Sequence, residues 1–124
     1  MRSIRRTEAR SPTTMIEDRI EVIESTLVQA QNIPGDRKAE LLKLVAELRS
    51  EVRKLAETHR DEASSIASFA EVSAHEVSRS QKNTQLAETA LHGLHLSVQG
   101  LEESHPVIVG IVNRFATALS NMGL

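Results

Sequence analysis

The sequence predicts an all-α chain, an antiparallel helical hairpin or bundle with long coiled-coil-like helices. Three observations carry this. Apolar residues recur at alternating three- and four-residue steps through most of the 124 residues, which is the period of one helix face. No proline interrupts that register from about residue 41 to 101. Aromatic residues are nearly absent: there is no Trp or Tyr, and the two Phe are Phe69 and Phe115. A large aromatic normally buries ~150–250 Å². A core made instead of Leu, Ile, Val and Ala suits narrow seams between helices.

The first helix is expected over 14–32. Thr14 and Glu17 have capping-box spacing, and Ile16, Ile20, Ile23, Leu27 and Ala30 form the stripe. Ile33-Pro34-Gly35 breaks the pattern, since proline pushes the preceding residue out of helical geometry. Asp36 is then a suitable N-cap. The short link implies that the next helix runs antiparallel to the first.

The second helix is expected over 36–81. Leu41, Leu44, Val45, Leu48, Val52 and Leu55 start its stripe, and Ala63, Ile66, Ala70, Ser73, Val77, Ser80, Thr84, Ala87, Leu91, Leu94, Val98 and Leu101 continue it. One extra four-residue step near His59 reads as a stutter. Two readings of the span stay open. One is a single helix of over sixty residues, on the order of 90 Å long. The other is a break near 80–84, where Asn83 or Thr84 could cap a new helix over 84–104. The domain reading takes the break. Pro106 suits the first position of a last helix, over 106–122. That helix carries Ile108, Ile111, Val112, Phe115, Leu119 and Met122, is apolar over most of its girth, and must be covered. Gly123 and Leu124 are expected to close it in a Schellman motif. Residues 1–13, with Arg2, Arg5, Arg6 and Arg10 against one Glu8, read as a disordered basic tail before a single helical domain at 14–124.

The stretch Glu102-Glu103-Ser104-His105-Pro106, followed by an apolar helix ending in Gly123-Leu124, resembles a family of small uncharacterised bacterial helical proteins. Those end in a Glu-x-x-His-Pro turn, one amphipathic helix and a terminal Gly-Ile or Gly-Leu. The resemblance covers about the last twenty-five residues and implies a bacterial protein with a domain of unknown function. It brings no activity with it.

Several chemistries lack their parts. There is no cysteine, so no disulfide, thiol nucleophile or thiolate metal site. A net charge of −2 gives no strong field for nucleic acid, and no apolar run approaches the ~20 residues of a transmembrane segment. Cytoplasmic location is the expectation. Glu88, His92 and His95 share a helix face by spacing and could hold zinc or iron. The competing reading makes them polar positions beside Leu91 and Leu94. Glu102-x-x-His105 has the spacing used twice in di-iron bundles, but it occurs once here and Pro106 follows it. His105 is better read as capping the last helix. The expected function is a non-enzymatic, self-associating interaction or structural protein without cofactor. Its interaction seam is Val45, Leu48, Val52, Leu55, Ile66, Ala70, Val77, Leu91, Leu94, Val98 and Leu101, and the 106–122 helix adds to it. The alternatives are a metal-binding bundle using His92 and His95, or a module that docks on a membrane or partner through 106–122.

Overall fold

A computed structural model describes residues 12–122, with side chains from Met15. Among the described residues there are five α-helices and no strand: α1 (Pro12–Gln29), α2 (Gly35–Ala56), α3 (Arg60–Ser78), α4 (Thr84–Ser97) and α5 (Pro106–Ser120). The basic tail expected over 1–13 lies mostly outside the described residues, as does the Gly123–Leu124 closure. The first helix begins at Pro12 rather than Thr14, because proline is tolerated in a first helical turn.

The longest helix has 22 residues, so the expected 36–81 helix is corrected to two. Its stutter is a full break at 57–59. Glu57-Thr58-His59 offers no apolar side chain to a core, and the charges on either side suit two helix ends. Arg53 and Lys54 occupy the last turn of α2, while Asp61 and Glu62 occupy the first turn of α3. Each pair complements the helix dipole at its own end. Thr58 N and His59 N both donate to Leu55 O, at 3.1 and 2.7 Å, and close α2. The break near 80–84 is present, and Asn83 supplies the cap: its side chain accepts from Leu86 N at 3.0 Å.

Two further boundaries shift. The helix expected to reach residue 104 ends at Ser97. Gly100 adopts φ +91, a left-handed conformation that costs glycine no Cβ clash and turns the chain out of the helix. Gly100 N donates to the Glu102 carboxylate at 2.8 Å, which commits the acid of the Glu-x-x-His motif to the turn. At α2 the N-cap is Pro34 and not Asp36, which sits inside the first turn.

The helices form two layers. α3 lies between α1 and α4, and α2 with α5 covers them from one side. Ion pairs report the directions. Arg53–Glu17 at 2.6 Å and Arg49–Glu24 at 2.7 Å run in opposite chain order, so α1 and α2 are antiparallel. Arg19–Glu71 at 2.9 Å ties α1 to α3, and Arg114–Glu47 at 3.6 Å ties α5 to α2. Exposed pairs of this kind contribute only ~0–1 kcal/mol each. They fix register more than stability.

Side-chain nitrogens from elsewhere in the chain donate to carbonyls at three helix C-termini. Lys38 Nζ donates to Val28 O and Ala30 O at the end of α1, at 3.0 and 2.8 Å. Asn32 Nδ2 donates to Val77 O in the last turn of α3 and to Arg79 O just past it, at 3.4 and 3.5 Å. Lys82 Nζ donates to Met122 O beyond α5 at 2.8 Å. These carbonyls lack intrahelical partners, and cations also complement the dipole there.

One core runs through the bundle, from Ile16 and Ile20 of α1 to Phe115 and Leu119 of α5. In α3 it is built of small side chains. Ala63, Ala67, Ala70, Ser73 and Ala74 are fully buried, which lets neighbouring helices approach closely. Ser80, expected on the same stripe, is exposed in the α3–α4 connection. Ser73 Oγ is buried without a hydrogen-bond partner among the described residues. A buried hydroxyl left unpaired costs ~1–3 kcal/mol, and Ala is also the better helix former. Ser73→Ala is therefore expected to stabilise the fold by about 1 kcal/mol in urea denaturation. A loss of stability would show that the hydroxyl is satisfied.

Candidate interaction surface

The residues assigned to an intermolecular seam are all inside the single chain. Val45, Leu48, Val52 and Leu55 lie on α2, Ile66, Ala70 and Val77 on α3, and Leu91 and Leu94 on α4. Val98 and Leu101 lie just past α4, and every one of these is buried. The continuous stripe is divided among three helices that fold back on one another. Its burial therefore needs no second copy. The last helix is covered in the same way: Ile108, Ile111, Val112, Phe115 and Leu119 are buried, and Met122 is half-buried against the core just beyond the helix end. Docking on a membrane through this face would require the bundle to open.

The outer surface carries a different apolar set. Phe69 is 40% exposed and Val72 46%, and they stand one turn apart on α3, the central helix of its layer. The Phe69 ring lies over Gly93 of α4. A Cβ at Gly93 would sit 2.3 Å from Phe69 Cε1, so the ring occupies the space that any larger residue would fill. α4 runs antiparallel to α3. Leu86, exposed and two turns before Gly93 on the same side of α4, therefore continues the strip past Val72. Met15 and Val22 are exposed on α1, with Met15 beside Arg60, Asp61 and Ser64 at the start of α3.

Two ion pairs lie near the strip. Arg19 binds Glu71, and Arg79 binds Glu76 at 2.8 Å. An apolar centre with a satisfied polar rim is the usual anatomy of a protein interface. Helical periodicity marks the residues that face the core and leaves this surface unmarked. The available signal was Phe69 itself, one of two aromatics, out of phase with Ile66, Ala70 and Ser73.

His92 and His95 are exposed on α4, and His95 Nδ1 lies 3.2 Å from Asn113 Oδ1 of α5. Among the described residues, no group of three or more His, Asp or Glu side chains is placed to hold a metal ion, Glu88, His92 and His95 included. His105 occupies the N-cap position of α5, but its ring makes no cap bond and lies instead 2.9 Å from Ser104 Oγ. A hollow of about 300 Å³ lined by Glu40, Lys43, Leu44, Glu47 and Arg114 sits at the lower edge of the ~300–1,000 Å³ typical of ligand sites. No described helix is long and apolar enough to cross a membrane.

Fold and surface together define a small all-α bundle with an apolar patch on its outer face. Residues 38–124 match the model of DUF4404, a domain of unknown function, and the chain belongs to that family. The match takes in α2 to α5 apart from the first turn of α2, while α1 precedes it. No curated protein and no solved structure matches the chain.

Proposed function

We propose that this protein is a non-enzymatic helical module that self-associates through the outer face of α3 and α4. The observation that carries this is Phe69, a large aromatic seated over a glycine at the surface, while Phe115 is the aromatic of an otherwise aliphatic core. Interface energy concentrates in such aromatics when a partner desolvates them. The formal charge of −2 offers little repulsion between copies. One patch facing itself across a two-fold axis is the commonest way for a chain to pair.

The test is sedimentation of the purified, tag-free chain at micromolar concentration. The wild type is expected to sediment as a dimer. Phe69→Ser/Val72→Ser, which removes exposed side chains only, is expected to be a folded monomer by circular dichroism. Loss of one central aromatic anchor costs ~2 kcal/mol or more, roughly thirtyfold in Kd. A wild type that stays monomeric, or a variant that dimerises equally well, rejects the reading.

A further inference from the structure

Two histidines outside the apolar strip meet at one end of the bundle. His59 closes the α2–α3 connection and His105 closes the α4–α5 connection. Each is the N-cap residue of the helix that follows, and their backbones match closely: φ −132 and ψ 68 at His59, φ −139 and ψ 62 at His105. A hydroxyl residue precedes each one. Thr58 Oγ1 lies 2.7 Å from His59 Nδ1, and Ser104 Oγ lies 2.9 Å from His105 Nδ1. Neither ring caps its helix. Instead the rings face each other edge to face, with centroids 4.9 Å apart and planes at 76°.

We propose that His59 and His105 form a two-histidine site for a late first-row divalent ion, Cu²⁺ foremost, with water in the remaining positions. Metal–imidazole bonds are ~2.0–2.1 Å long, and the ring centre lies about 1.1 Å behind the ligating nitrogen. Two imidazoles bound about 90–110° apart on one ion thus have centroids ~4.5–5.2 Å apart. The observed separation falls inside that window. The paired hydroxyls suit the role. With the proton on Nδ1 and donated to the hydroxyl oxygen, Nε2 keeps its lone pair, and a hydrogen bond of this type orients ligating imidazoles.

Imidazole ligands favour copper, nickel and zinc, and the Irving–Williams order puts Cu²⁺ first. The rings are half-buried. A hollow of about 260 Å³ opens beside His105, lined by Glu51, Lys54 and Ser104 and by the apolar Leu55, Pro106, Val107 and Ile108, and water entering it can complete the coordination. The two ligands come from different connections and are adjacent only in the folded chain. The ion therefore stabilises the native state.

The tag-free full chain is titrated with CuCl2 or NiCl2 alone, followed by calorimetry, Cu²⁺ electron paramagnetic resonance and thermal melting. One ion per chain, nitrogen hyperfine structure and a Tm rise of several degrees are expected. His59→Ala and His105→Ala should each weaken binding at least tenfold and remove the Tm rise, while His92→Ala/His95→Ala changes neither. His59→Gln and His105→Gln serve if an alanine variant melts early without metal. Absence of saturable binding, or binding that survives loss of either His59 or His105, overturns the proposal.

Discussion

Leu48→Asp is expected to unfold the chain rather than to dissociate an assembly. Leu48 is 0% exposed near the middle of α2, the helix that packs on α1, α3 and α5. Truncating such a leucine to alanine already costs ~2–5 kcal/mol. Aspartate adds the penalty of an unpaired carboxylate in an apolar setting. The sum approaches the whole stability of a domain, ~5–15 kcal/mol. Circular dichroism should show loss of the cooperative melt at every protein concentration. Leu96→Asp is the control: Leu96 is 48% exposed on α4, and its substitution should leave the melt nearly unchanged. A Leu48→Asp chain that stays helical and becomes monomeric would restore α2 as an intermolecular seam.

The contrast between those two leucines marks what the sequence makes legible. Helical spacing finds the inward residues, because burial on a helix face imposes a local period. It found Leu48 and Leu94 alike, and likewise Ile108, Phe115 and Leu119. Local chemistry also located Asn83 as a cap and Pro106 as a helix start. Periodicity does not say which chain covers a face. One missed boundary made that difference. The register can be carried across His59 with a single four-residue step, so residues 36–81 look like one rod with an uncovered side. The charge reversal from Arg53-Lys54 to Asp61-Glu62 was the sign that two helix ends meet there. Once the chain turns back at 57–59, the rod covers itself. Gly100 is a similar case, since it falls within the helix expected over 84–104. Its φ of +91 shows a helix terminus instead. The His59–His105 pair was not legible at all, because it depends on two connections meeting in space.

The two phenylalanines should separate stability from association. Phe115 is the largest fully buried side chain, at 0% exposure in the middle of α5. Its removal leaves a cavity that aliphatic neighbours can only partly refill. Phe115→Ala is therefore expected to cost ~3–5 kcal/mol, read as a fall in the urea midpoint with an unchanged slope. Phe69→Ala removes a ring that already has one face in water. Its cost to the fold of a single chain is expected to stay below ~1 kcal/mol. The effect of Phe69→Ala should appear in the dimer constant instead. Denaturation at several protein concentrations distinguishes the two, because stability that includes dimerisation depends on concentration. The wild-type midpoint should rise with concentration, that of Phe115→Ala should rise in parallel from a lower value, and that of Phe69→Ala should stay flat. A flat wild-type curve would leave Phe69 as a surface residue without a partner copy. A steep loss of monomer stability in Phe69→Ala would show that its contact with α4 holds the fold together, and the glycine seat would then be structural.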